Sequence, residues 1–161
     1  MNKPKINPTK NSVPAGSRSR LIALLNQALA DLGDLYSQTK QAHWNVRGKN
    51  FYQLHLLFDQ AAATAEEHWD DVAERAVQIG GYARGTVRMA AKASQLPEWP
   101  EDLDDSADFV KNVVQRFAIV ANSLRDGIAA AADLGDADTA DLFTEISREL
   151  DKSLWFLEAS L

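Results

Sequence analysis

At 161 residues and with no cysteine, the chain is long enough for one domain with its own core, and it excludes disulfides, thiolate catalysis and cysteine-held zinc or iron–sulfur centres. The net charge of −6 is unevenly placed: five of the 17 Lys and Arg lie in residues 1–20 beside no acid, leaving 12 to face all 23 Asp and Glu. An acidic body with a basic tail suits cations for the body and a polyanion for the tail. No apolar run approaches the roughly 18–20 residues of a membrane span, and no signal-peptide core opens the chain, so the expectation is a cytoplasmic protein without membrane contact.

Residues 1–17 are rich in Pro, Asn, Lys and Ser without periodicity, and read as a flexible basic arm preceding a domain at 18–161. The first helix is expected to start near Ser17 or Ser19 as N-cap, with Leu21, Leu25, Ala28, Leu32, Leu35, Thr39 and Ala42 at 3–4 spacing up to His43. A second helix is predicted from about Asn50 to Ile79, with Leu54, Leu57, Phe58, Ala61, Ala65, Trp69, Val72, Ala76 and Ile79 as its core stripe and Gly80-Gly81 as its stop. Residues 82–104 form a long crossover with a short helix at Thr86–Ala93. Asp104, Asp105 or Ser106 caps a third long helix bearing Phe109, Val113, Phe117, Val120, Leu124 and Ile128. After Gly135 a last helix carries Leu142, Ile146, Leu150, Leu154 and Leu157. Short turns make neighbours antiparallel, and the long crossover makes the second and third long helices parallel. The predicted fold is therefore all-α, a ferritin-like four-helix bundle.

The chemistry-bearing stretch runs from His43 to Glu74. His55 and Asp59 are four apart on the second helix, as are Asp70 and Glu74, so each pair shares a face. The eleven positions between Asp59 and Asp70 span roughly 16 Å of helix, whereas nitrogen and oxygen ligands sit about 2 Å from a metal. One ion cannot use both pairs of one chain. His55, Asp59, Glu66, Asp70 and Glu74 nevertheless occupy one stripe of roughly 100°, so two helices packed antiparallel about a two-fold axis would bring each His/Asp half to the other's Asp/Glu half. Imidazole and carboxylate without thiolate suit Fe(II), Zn(II) or Mn(II). The bland alternatives are a satisfied core histidine at His43 and a solvated acidic face, with Glu74 paired to Arg75 or Arg47. His68 lies roughly 220° around from His55 and is expected to be structural or surface. No histidine follows a glutamate by three, so a di-iron centre inside the bundle is not expected.

The run Lys40-Gln41-Ala42-His43-Trp44-Asn45-Val46-Arg47-Gly48, then Phe51, Leu54, His55, Phe58 and Asp59, then Asp70, Ala73, Glu74, Arg75 and Ala76, resembles Dps, the DNA-binding protein from starved cells, a mini-ferritin family. The ending Leu150-Asp151-Lys152-Ser153-Leu154-Trp155-Phe156-Leu157-Glu158 is similar too. The resemblance covers about residues 20–160. It implies a hollow homododecamer that oxidises Fe(II), preferably with hydrogen peroxide, stores ferric mineral and protects DNA in the oxidative stress response. By motif position it implies ligands His43, His55 and Asp59 from one subunit and Asp70 and Glu74 from its neighbour, while the ligand chemistry itself leaves zinc or manganese as competing ions. It also implies that Trp44 positions ligands or donates electrons, and that Asp136, Asp141 and Glu145 line an iron-entry pore. For the last three, complementing the helix dipole is the plain alternative. Lys3, Lys5, Lys10 and Arg18 are the arm residues expected to meet DNA phosphates, in a nucleoid-associated protein. The alternative reading is a DNA-compacting nucleoid protein with little or no ferroxidase activity.

Overall fold

In the computed structural model, which describes residues 6–161, helices α1 (Ala15–Asn45), α2 (Phe51–Gln78), α4 (Ser106–Asp133) and α5 (Ala137–Glu158) are long, and α3 (Val87–Ala93) is a single short piece in the crossover. The described residues hold helices and no strand. α1 packs chiefly on α2 and α4 on α5; α1 against α4 and α2 against α5 close the bundle, and α3 lies on α1. Every long helix is amphipathic, and what it buries meets in one core: Leu21, Leu25, Leu29, Leu32 and Leu35 of α1, Phe58 of α2, Phe117 of α4 and Phe143, Ile146 and Leu150 of α5 are sealed from solvent.

Local chemistry sets the ends. Gly80 takes φ +90° after α2, its N–H donating to Val77 O (2.9 Å) while that of Gly81 donates to Ala76 O (2.8 Å). Gly135 repeats this after α4, φ +79°, with bonds to Ala132 O from itself and to Ala131 O from Asp136. Both satisfy the last helical carbonyls in the Schellman pattern, which needs a left-handed residue. Asp105 caps α4 by accepting from Ala107 N–H (3.0 Å), and Asp136 caps α5 by accepting from Thr139 N–H (3.4 Å).

The first helix departs from expectation. It opens at Ala15 behind Pro14 with no side-chain cap, earlier than Ser17 or Ser19 and inside the segment read as arm. The cause lies in residues before it. The Arg18 guanidinium reaches back to Val13 O (3.2 Å) and Asn11 O (2.5 Å), Val13 is buried, and Asn7 N–H donates to Gly80 O (2.7 Å). Residues 7–14 are thereby fastened to the bundle, and the helix starts where that fastening ends. The crossover is fixed in the same way: buried Arg116 of α4 donates to Gln38 Oε1 (2.8 Å) on α1 and to Glu98 O (2.9 Å).

Candidate metal centre

His43 stands in the last turn of α1 and His55 in the second turn of α2, so the Val46–Asn50 turn folds one histidine onto the other. Their rings stack at a centroid distance of 3.8 Å and an interplanar angle of 20°. Nδ1 of His43 lies 2.8 Å from the carbonyl oxygen of His55, and Nδ1 of His55 lies 2.9 Å from that of His43. A carbonyl oxygen only accepts, so each Nδ1 carries a proton, and a ring in its neutral form keeps its lone pair on Nε2. That is the tautomer a metal-ligating histidine needs, held by a bond from its other nitrogen.

Asp59 lies one turn after His55. Its Oδ1 accepts from Lys40 Nζ at 2.6 Å and stands 3.9 Å from His43 Nδ1, with the side chain about half exposed. The Lys40 hydrogen bond, with the Lys40 charge behind it, holds the Asp59 carboxyl below its ordinary range. An arriving cation therefore meets an ionised Asp59 and a competing ammonium on the same oxygen. Sequence reasoning missed Lys40; the signal was its place one turn before His43 on the same face of α1.

Asp70 and Glu74 are exposed further along α2. Neither joins an ion pair among the described residues: Arg75 instead binds Asp136, and Arg47 binds Asp104. Also among the described residues, no three His, Asp or Glu side chains converge as a ready ligand set within the one chain. The positions have an internal symmetry. His55 with Glu74, Asp59 with Asp70, and the exposed apolar pair Tyr52 with Val77 share one midpoint, between Thr64 and Ala65. Around that midpoint α2 is small: Ala61 and Ala62 are buried, and Ala63 is exposed between the two halves.

The chain matches the ferritin-like domain family over residues 22–161. A DNA protection during starvation protein of Agrobacterium fabrum is 42% identical over 155 residues, 96% of this chain and 96% of that protein. The chain belongs to the Dps mini-ferritins. The crystal structure of an archaeal Dps homologue from Halobacterium salinarum superimposes with a TM-score of 0.92 at 28% identity, covering 100% of this chain and 90% of that one. A Dps protein from Vibrio cholerae O1, described as a member of a broad superfamily of ferritin-like diiron-carboxylate proteins, matches with a TM-score of 0.84 at 27% identity, over 94% and 98% of the two chains.

In this Dps chain Trp44 follows His43 and is 66% exposed, with Lys40 Nζ 5.9 Å from its ring centroid. Asp141 and Glu145 are exposed on α5. Asp136, read from sequence as a third pore carboxylate, is not on that surface. It is buried at 3% exposure and accepts from Arg75 Nη2 with both oxygens (2.7 and 3.0 Å) and from Thr139 Oγ1 (2.5 Å). Burial raises its pKa, but the hydrogen bonds from Thr139 and Arg75 outweigh that and hold the carboxyl below its usual range. Asp136 is the cap that locks α5 to α2. Arg18 is likewise no free arm cation, since carbonyls of Val13 and Asn11 occupy its guanidinium; Lys10 is exposed, and Lys3 and Lys5 lie outside the described residues. His68 is buried at 3% exposure and ties α2 to α5, between Glu149 (3.2 Å) and Asp71 (3.4 Å).

Proposed function

We propose that this chain is a ferroxidase and iron-storage protein whose site is shared across a two-fold axis. The observation that carries the reading is the reciprocal His43–His55 bond, which leaves the Nε2 lone pair of each neutral ring for a cation, with Asp59 one turn after His55 and its Oδ1 3.9 Å from His43 Nδ1. Lone-pair nitrogens with a carboxylate suit Fe(II) as substrate, with zinc or manganese as competitors. The common midpoint of the two α2 pairs supports an antiparallel partner that brings its Asp70 and Glu74 to these histidines, with Tyr52 meeting Val77 at each edge. Two ferrous ions together supply the two electrons that reduce one hydrogen peroxide to water, taking up two protons, so no hydroxyl radical is released. Ferric mineral then collects inside a homododecameric shell, which Fe(II) enters past Asp141 and Glu145, whose charge lowers the energy of an approaching divalent cation. Trp44, next to His43 in the chain and exposed, positions the ligands or donates an electron to the oxidant.

The name of the Agrobacterium relative supports a second role, DNA protection in a nucleoid-associated particle, with the arm lysines Lys3, Lys5 and Lys10 as phosphate contacts. The ferroxidase reading is tested by adding Fe(II) and peroxide and following ferric absorbance. Wild-type protein is expected to turn over rapidly and His43→Ala/Asp59→Ala protein to oxidise at the rate of buffer; equal rates overturn it.

A further inference from the structure

Although the molecule is acidic, two of its segments carry no acid at all: residues 1–30 and residues 75–97. The fold brings them together. The second segment holds the start of the crossover and α3, and α3 lies on α1. Between them runs a groove of about 640 Å³ lined by Ala23 and Gln27 of α1 and by Arg84, Arg88, Met89 and Lys92. Arg88 and Lys92 are one turn apart on α3 and share a face. Arg20, exposed and one turn before Ala23, continues the line along α1. None of these four cations lies within ion-pair reach of a carboxylate among the described residues.

The walls are fixed rather than loosely apposed. The Asn26 side chain donates to Tyr82 O (3.2 Å) and accepts from Arg84 N–H (2.8 Å), clamping the entry to the groove. Gln27 Nε2 donates to Ala93 O (2.9 Å), clamping the far end of α3. The adjoining acids are spoken for: Asp31 is buried and accepts from Gln27 and Gln95 N–H, and Asp34 accepts from Ser94 Oγ (2.6 Å). A concave site with unpaired cations on a pinned frame spends little ordering entropy when an anion arrives.

We infer that this groove, through Arg84, Arg88 and Lys92 with Arg20 at its mouth, holds the phosphate backbone of duplex DNA. Planar guanidinium forks match phosphate oxygens, and a duplex presents one charge per about 1.7 Å of axis for a row of cations to follow. The tail meets the start of the crossover, since Asn7 N–H donates to Gly80 O four residues before Arg84. The inference rests on the reading that the protein holds DNA, and places contacts on the folded body besides the arm.

The test is a gel shift of full-length protein on an arbitrary duplex across a salt series. Arg84→Ala/Arg88→Ala/Lys92→Ala is expected to weaken binding about ten-fold or more at low salt and to flatten the log–log salt slope by about two to three, near 0.9 per lost phosphate contact. Arg84→Lys/Arg88→Lys should keep the wild-type slope. Peroxide-driven iron oxidation and the size of the assembly should be unchanged in both. If the triple variant misassembles, Arg84→Gln and Arg88→Gln singly, each expected to lower the slope by about one, decide the matter. Wild-type affinity and slope in the neutralised variants overturn the groove while leaving DNA holding intact. A wild-type protein that leaves duplex unshifted at low salt overturns both; one whose neutralised variant loses phosphatidylglycerol vesicles but keeps duplex at wild-type affinity overturns the groove's assignment to DNA.

Discussion

Lys40 and Asp59 form an ion pair of 2.6 Å across the α1–α2 contact, on the carboxylate that accompanies the two histidines. Lys40 thus does what a cation does at this oxygen, keeping it charged and occupied. Replacing it by Met leaves Asp59 free, so Zn(II) is expected to bind severalfold more tightly at pH 7 when titrated calorimetrically. The gain should shrink as pH falls. Asp59 of the wild type, its pKa depressed by Lys40, stays ionised to lower pH than Asp59 of the variant, so protonation costs the variant its ligand first. An unchanged zinc affinity would mean that Lys40 does not compete for Asp59.

Breaking the Arg75–Asp136 pair removes a buried link from α2 to α5. Asp136→Ala leaves the buried guanidinium with only the exposed Asp138 carboxylate at 3.7 Å and is expected to cost about 3 kcal/mol, read from urea unfolding or a lowered Tm. The pH sign follows from the depressed Asp136 pKa. Above the unfolded carboxyl value of about 4 its stabilisation is complete, and it is lost as pH falls through the lower folded value, because the unfolded chain takes up the proton first. The stability gap between wild type and Asp136→Ala should therefore narrow below about pH 4.

Gly127 on α4 faces Phe143 on α5, and a Cβ at 127 would lie 2.9 Å from the ring. Gly127→Ala gains about 1 kcal/mol of helix propensity but forces the sealed Phe143 ring to shift, an overpacking cost of about 1–3 kcal/mol. A net fall in Tm is expected, reversed in part by Phe143→Leu. A rise in Tm on Gly127→Ala alone would show that the ring yields freely.

Asp141→Asn/Glu145→Gln is expected to slow iron loading into the assembled shell severalfold, most at low ionic strength, since the lost attraction is electrostatic. Loading at the wild-type rate would assign the two acids to the helix dipole alone.

Much of this was legible in the sequence because it is periodic or covalently short-ranged. The α1 stripe from Leu21 to Leu35 is buried as its 3–4 spacing required, and Gly80 and Gly135 end their helices because a left-handed residue is needed there. The four-apart ligand pairs share a helix face by geometry alone. What escaped is tertiary pairing. Asp136 reads as one of a run of acids at a helix start, and only Arg75, from 61 positions away, makes it an internal cap. Arg18 reads as the last cation of a tail, and only the carbonyls of Asn11 and Val13 make it a fastener. Phe143 was passed over for Leu142 because its partner in packing is an absence of side chain, at Gly127 on another helix. The His43–His55 exchange was likewise invisible, because both acceptors are backbone carbonyls and carry no residue signature.

The central claim, a site divided between two subunits, is tested most directly by mixing two crippled chains. His43→Ala/Asp59→Ala protein lacks one half of every site, and Asp70→Ala/Glu74→Ala protein lacks the other. Each alone is expected to oxidise Fe(II) no faster than buffer. Unfolded together in equal amounts and reassembled, half of the two-fold pairs are mixed and each restores one whole site, so about a quarter of the wild-type rate should return. A mixed assembly of full size that remains inactive would contradict the shared site.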